Sequence, residues 1–311
     1  MKTLILATLA TLWTVLCSCE HQQDLCFDHN LNERRPVEVI FDWSECPEAN
    51  PSTMSLYLFP ADKSHYTRHE FSSRDGGKIL IAPGLYTAIA LNSDNESVRV
   101  INSGFADDFT IALRDNASNT GSSPIKNSTK ICQAPDSLWV AYIPNLQITG
   151  NQLMVPMNDA CCHYSIEIRH LTNSNLIWTI DGTLGGMTGM KGFPSNPDSD
   201  VQLHFSMKVN DDGGASGMFL TFGHCGHSRS RTEYEEYSDK HFITVYAVLI
   251  DGSQWYHSFD ITSLLHNLSD DQTLIRIDEG LHIPQVSQSD EGAGFNISID
   301  DWQTLPVDIP M

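Results

Sequence analysis

The residues best equipped for chemistry sit at the start of the chain. Leu16-Cys17-Ser18-Cys19 puts an aliphatic residue three positions before Cys19 and a small one directly before it, which is the lipobox pattern. Its chemistry is cleavage behind Ser18 and acylation of Cys19. Cys17 fits less well, because Leu16 would then stand directly before it. The plainer alternative is an ordinary cleaved signal peptide that happens to contain cysteines. Each buried CH₂ of an acyl chain adds about 0.8 kcal/mol of membrane affinity, so several chains on one cysteine hold a protein to a bilayer. The run Leu4 to Leu16 has the length of a signal-peptide apolar segment and is too short to span a membrane comfortably.

Other reactive types are present without a catalytic arrangement. His224-Cys225-Gly226-His227 has the look of a metal clip, but a lone H-C-x-H lacks the further ligands a site needs, and no metal is expected. Cys26, Cys46, Cys132, Cys161, Cys162 and Cys225 remain after export, where a disulfide is expected and its pairing is open. The vicinal Cys161-Cys162 pair falls where a strand starts, which sends the two side chains to opposite faces. No G-x-S-x-G, H-E-x-x-H or Cys-His protease signature occurs. The glycine-rich stretch Gly182 to Gly192 follows an apparent strand, Ile177 to Asp181. A phosphate cradle there would need a helix behind it, and Phe193-Pro194-Ser195-Asn196-Pro197 cannot form one; a tight turn with close backbone packing is the better reading. No enzyme activity, catalytic residue or cofactor is therefore expected. The tryptophans at 13, 43, 139, 178, 255 and 302 could stack on glycans, but they are more simply explained as core, apart from Trp13 in the signal peptide.

Charge narrows the partners. Lys plus Arg number 18 against 39 for Asp plus Glu, a net −21. That balance excludes nucleic acid as a natural ligand and disfavours docking on anionic lipid. With 41% hydrophobic residues, the 311-residue chain can bury a core, and its length suggests two domains.

Those domains read as strands. Val37, Val39, Phe41 and Trp43 alternate with polar residues, and Met54 to Phe59 is a strand buried on both faces. Ile79 to Ala82, Pro83-Gly84, and Leu85 to Leu91 read as a hairpin, and Leu146 to Met157 as one further strand. Tyr164, Ile166 and Ile168 alternate in the second half. Phe242 to Ile250, Asp251-Gly252, and Gln254 to Phe259 form a second hairpin, and Phe295, Ile297 and Ile299 alternate near the end. Ile261 to Leu268 is the best helix candidate, short, with Asp260 or Thr262 as its cap. The pattern argues for β-sandwiches. Gly104 to Pro135, rich in Ser, Asn, Asp and Thr, reads as a decorated connection inside the first domain. The polar break Asn158 to Cys161 marks the second. The expected division is a signal peptide at 1–18, a lipidated tether at 19–36, and β-sandwiches at 37–158 and 159–311.

Several ordered motifs carry a resemblance. Asp24-Leu25-Cys26-Phe27-Asp28-His29, Val37 to Trp43, Ser55-Leu56-Tyr57-Leu58-Phe59-Pro60 and Pro83-Gly84-Leu85-Tyr86 are followed by Leu91-Asn92-Ser93-Asp94 and Leu184-Gly185-Gly186-Met187. Thr221-Phe222-Gly223, Phe259-Asp260-Ile261-Thr262, Ile275-Arg276-Ile277, Ile283-Pro284 and Asp301-Trp302 complete the series. Together they resemble the fimbrillin-like lipoproteins of Bacteroidetes, in a branch of unknown function similar to anchor and accessory subunits of major and minor fimbriae. The resemblance implies two tandem transthyretin-like β-sandwiches and routing to the outer membrane. It also implies assembly by strand addition, in which a strand of one subunit completes an open sheet of the next. Pilins of such systems lose an N-terminal strand to an arginine-specific protease, whereas anchors keep lipid and strand. Arg34-Arg35 is the candidate processing site, weighed against a charged gatekeeper before a hydrophobic strand. Cys19 to Pro36 is a polar tether reaching up to roughly 60 Å when extended. Asp136-Ser137-Leu138 matches the short O-glycosylation motif of such exported proteins, with Ser137 as acceptor. The tail Leu305 to Met311 could be a last core strand or a donor.

The expected protein is thus all-β and non-enzymatic. It is held in the outer membrane by acyl chains on Cys19, at the cell surface, with fimbrial subunits as partners. The competing reading is a glycan-binding surface lipoprotein.

Overall fold

The computed structural model describes residues 34–101, 104–115, 130–193, 197, 199–223, 240–268 and 273–285. Cys19, the His224 to His227 stretch, and the strand and tail expected at 295–311 lie outside these residues. In chain order the strands are β1 (Arg35–Asp42), β2 (Met54–Pro60), β3 (Thr67–Phe71), β4 (Gly76–Ile81), β5 (Gly84–Asn92), β6 (Val98–Ile101) and β7 (Thr110–Leu113). Next come β8 (Ile131–Gln133), β9 (Trp139–Ile148), β10 (Gln152–Pro156), β11 (Asn158–Asp159), β12 (Cys162–Ile168), β13 (Leu171–Thr172) and β14 (Ile177–Thr188). The last are β15 (Met190–Gly192), β16 (Asp200–Val209), β17 (Ala215–Thr221), β18 (Phe242–Leu249), β19 (Gln254–Asp260), β20 (Leu274–Ile277) and β21 (Leu281–His282). The chain is all-β, as its alternation predicts.

Three layers position everything else. A small outer sheet runs β10-β1-β4, and a second sheet runs β11-β9-β5-β2-β3. A large sheet follows the order β19-β18-β14-β16-β17-β12-β20, with β8 added parallel to β16. The first two sheets sandwich Val37, Val39, Phe41, Ile79, Ile81 and Val155 against Met54, Leu56, Leu58, Ala88 and Ala90. A larger core uses the opposite face of the second sheet, through Tyr57, Phe59, Ile89 and Leu91. It continues through Phe109, Ile111 and Leu113 to Leu184, Leu203, Phe205, Ile243 and Val245. The second sheet is therefore a middle layer, which is why β2 is buried on both faces. Tyr57 and Phe59 pack on Phe109, and Phe109 on Phe193, at ring centroid separations of 4.8, 6.0 and 6.1 Å.

Two strands from the described part of 104–135, β7 and β8, contribute to this joint. β7 lies between β6 and β15, and β8 pairs with β16, so both short strands meet partners from beyond residue 188.

Two local expectations differ from the structure. Ile79 to Leu91 is not a hairpin: β4 pairs with β1, while β5 pairs with β2 and β9. Pro83 carries no N–H for a cross-strand ladder. The alternating apolar residues of both strands are satisfied only by facing each other across the core between the layers. The Tyr86 hydroxyl donates to the Ala82 carbonyl at 2.9 Å and fixes this corner. Leu146 to Met157 is likewise split, its first residues ending β9 in one layer and its last forming β10 in the other. The hairpin of β18 and β19 is as expected, with Gly252 at φ +83° in its turn. The short helix α1 (Thr262–His266) also forms, and Asp260 Oδ1 accepts the Thr262 N–H at 3.0 Å. No helix among the described residues is long and apolar enough to cross a membrane.

Candidate functional site

β1 is the first strand among the described residues, and it occupies the middle of its sheet. Residues Glu38 to Asp42 run parallel to Gln152 to Pro156, while Arg35 to Ile40 run antiparallel to Ile81 to Gly76. Val37, Val39 and Phe41 are at most 3% exposed. Burying each contributes about 1.5–3 kcal/mol, so the strand is fixed by apolar area as well as by two hydrogen-bond ladders. Phe41 adds an edge-on contact with Phe71 at 5.2 Å. Gly76 lets the end of β4 approach: at φ +105°, a Cβ there would lie 2.1 Å from the Val39 carbonyl oxygen. Outward from the layer, Leu80 of β4 and Met154 of β10 are 61% and 60% exposed.

Arg34 and Arg35 stand at the head of this strand. Both are half-buried, and Arg35 is already paired with Ile81. Burial, and then the charge of Arg34, push His69 on β3 below its usual imidazole range. A cut behind Arg35 would fall one residue into β1 and leave Pro36 to Asp42 in place.

Ser137 lies in the loop before β9, with its side chain exposed. The backbone around it is pinned from several sides. Asn92 and Asn95 side-chain amides donate to the Ser137 carbonyl at 3.2 and 3.1 Å, and the Asp136 N–H donates to Ser97 Oγ at 2.7 Å. Leu138 is fully buried beside it. Asn92, only 2% exposed, also accepts the Trp139 N–H at 2.9 Å and donates to Asp94 at 3.0 Å. Burial works to raise the Asp94 carboxyl, but hydrogen bonds from the Ser52 N–H and hydroxyl and from Asn92 outweigh it and hold the group below its ordinary range.

The remaining sequence candidates are placed as follows. Cys46, Cys132, Cys161 and Cys162 are free thiols, so the expected disulfide is not among the described cysteines. Burial pushes the Cys161 thiol up to about 12, which keeps it protonated and unreactive. Cys161 packs against the core while Cys162 is exposed, the opposed orientation that a strand start predicts. The glycine-rich stretch is neither a phosphate cradle nor a tight turn; it continues β14 with a register shift between Leu184 and Met187. Gly186 takes φ +76° there, and a Cβ would lie 2.5 Å from His241 Nδ1. That buried imidazole donates from Nδ1 to the Gly185 carbonyl at 3.2 Å. No group of three or more His, Cys, Asp or Glu that could hold a metal occurs among the described residues.

Sequence reasoning missed one residue. Trp178 is 74% exposed, in contrast to Trp43 at 7%. The signal was in the spacing: Ile177 and Ile180 both turn toward the core, and two inward residues three apart in a strand require an extra residue between them.

Known proteins supply a frame for this geometry. The family profile of the domain of unknown function DUF5119 matches residues 18–203. A curated protein of Bacteroides ovatus, provisionally named fimbrium anchoring subunit Fim4B, is 22% identical over 183 residues, 57% of this chain and 53% of that protein. The chain thus spans about half the length of that relative. A crystal structure from Bacteroides ovatus, provisionally called an adhesin, aligns with a TM-score of 0.63 at 17% identity, covering 84% of this chain and 96% of that one. The fimbrial anchor protein Mfa2 of Porphyromonas gingivalis aligns more loosely, with a TM-score of 0.45 at 14% identity over 78% and 89%. The curated relative is named for a fimbrium and the first of these structures for adhesion.

Proposed function

The chain belongs to the DUF5119 family, and from that premise we propose that it is a lipid-anchored, non-enzymatic anchor or accessory subunit of a surface fimbria. In this reading Cys19 carries the acyl chains, the tether runs from the outer membrane to Arg34, and the sandwiches over 37–158 and 159–311 stand at the cell surface. Further fimbrial subunits are its partners, joined by strand addition. The outermost strands of the β1 sheet, β4 and β10, offer borders for that pairing. Ser137, exposed on a pinned loop, is the proposed O-glycan acceptor.

One observation carries this reading. β1 follows the tether directly and is clamped between β4 and β10 with its apolar face buried. A pull on the tether therefore loads two ladders along their length, and every bond in them must slide together. A pilin subunit must vacate its N-terminal strand to receive a donor, whereas an anchor must keep it. The position of Arg34-Arg35 at the head of β1 supports retention, because cleavage there would leave Pro36 to Asp42 in the groove. The arginines then act as charged gatekeepers.

The test is made in the source bacterium. With Cys19→Ala, labelled palmitate should no longer enter the protein, the protein should leave the membrane fraction, and fimbriae should appear in the medium. Normal cell-bound fimbriae in a strain lacking the gene, together with no binding of the purified chain to any pilin encoded nearby, would reject the anchor role.

A further inference from the structure

Trp178 marks a surface that anchoring does not explain. The pairing of β14 with β18 shifts register between Ile177 and Thr179, so Trp178 has no opposite partner. Ile177 packs on the core and Ile180 is 5% exposed. Trp178 and Thr179 consequently share the outer side of the sheet. An inserted residue of this kind re-aims a side chain, and here it turns an indole into water, forfeiting the burial free energy a core would supply.

The surroundings of the indole are ordered by the strand register. Thr179 lies opposite Val248, and Val248 opposite Gln254. One row along, Asp181 lies opposite Tyr246, and Tyr246 opposite Tyr256. The Tyr246 and Tyr256 rings are 6.3 Å apart, and Tyr256 is 41% exposed. The strip across β14, β18 and β19 therefore presents an exposed indole and a phenol, interleaved with a hydroxyl, an amide and a carboxylate on one side of the sheet.

We propose that this strip binds a neutral oligosaccharide chain, with Trp178 as the stacking platform and Thr179, Asp181 and Gln254 as hydrogen-bonding groups. A sugar ring offers an apolar C–H face bordered by hydroxyls, so it needs an aromatic plane and polar side chains at the same level. A protein partner fits less well, because its interface wants a contiguous apolar centre with a polar rim, and here the two kinds of residue alternate. A uronic or sialic polymer is repelled by a chain of net charge −21 with Asp181 in the strip. The open sheet face suits an extended chain lying across the strands. None of this depends on the anchoring reading.

The experiment uses the exported chain without its first nineteen residues, titrated with linear neutral oligosaccharides of glucose, mannose, xylose and galactose. Calorimetry and tryptophan emission are the two readouts. At least one oligosaccharide should bind saturably and shift the emission. Trp178→Ala should weaken that binding about tenfold or more, Trp178→Phe should fall between, and Gln254→Ala should weaken it several-fold. Because Trp178 is exposed, the variants should keep the wild-type melting temperature, which separates lost binding from lost fold. No saturable binding across the panel would overturn the proposal. So would equal binding by Trp178→Ala, preference for acidic sugars, or a pilin retained through Trp178 in the absence of sugar binding.

Discussion

β2 places Met54, Leu56 and Leu58 in one core and Tyr57 and Phe59 in another, whereas β18 buries Ile243, Val245, Ala247 and Leu249 on one face only. The other face of β18 meets Thr179 and Asp181 on one side and Gln254 and Tyr256 on the other. Both strands are hydrophobic and both sit inside their sheets, yet they do different work. The two-faced strand joins layers and leaves no side chain free for recognition. The one-faced strand leaves Tyr246 and Val248 of its other face partly exposed, and the insertion at Trp178 enlarges that surface. Firmness in this molecule comes from the layer that has lost its contact with water, and recognition from the layer that has kept it.

The comparison predicts a graded response to truncation. Phe41→Ala, which opens the core between the outer and middle sheets beneath β1, should lower unfolding free energy by about 3–5 kcal/mol, read from denaturant curves. A loss below about 1 kcal/mol would mean that β1 is not fixed by its buried face. Gly182→Ala examines the inner face of the large sheet. Its new Cβ would lie 2.5 Å from the Phe205 ring, which is itself stacked on Phe219 at 4.3 Å and cannot retreat. The expected cost is about 1–3 kcal/mol, seen as a lower melting temperature. Asn92→Ala removes a buried amide that satisfies Trp139, Ser137 and Asp94. It should cost about 1–3 kcal/mol and raise hydrogen exchange in the 134–138 loop without altering Trp178.

Much of this was legible in the sequence because it is local. The run from Met54 to Phe59, apolar but for Ser55, predicts a strand with no solvent face, and Asp251-Gly252 between two alternating runs predicts the β18–β19 turn. What escaped depends on distance. Glu38 finds Gln152 in a parallel pair, and no turn links them, so nothing near either residue announces β1 as a central strand. The Pro83-Gly84 corner was misread for the same reason. A turn between two alternating strands looks identical whether they pair with each other or cross to separate layers, and only the distant partners, β1 for β4 and β9 for β5, decide. Cys19 is legible as a motif alone and lies outside the described residues. Ser137 is a motif whose exposure and pinned backbone follow from Asn92 and Asn95, more than forty residues earlier in the chain. Trp178 was hidden by a reasonable rule that tryptophans fill cores.

Acid should affect the two regions unequally. The Asp94 carboxyl is held below its ordinary value of 3.8. A carboxylate depressed in the folded state contributes stability that is present above its unfolded value and lost as pH falls through the folded one. Wild-type protein should therefore exceed Asp94→Asn in stability at neutral pH, with the gap closing below about pH 4. The effect should stay under about 1 kcal/mol, since the group is largely solvated. A gap independent of pH would assign the benefit to shape instead of charge.

The smallest expected effect is the most discriminating. Trp178→Ala should change unfolding free energy by no more than about 0.5 kcal/mol, because an exposed side chain away from caps and cores is near-neutral to folding. An indole kept in water at no gain to the fold has its reason outside the fold, and the sugar titration then has a meaningful baseline. A loss of about 2 kcal/mol or more would place the indole against other parts of the chain. The large sheet would then be as two-faced as the middle one, and the contrast between the two layers would collapse.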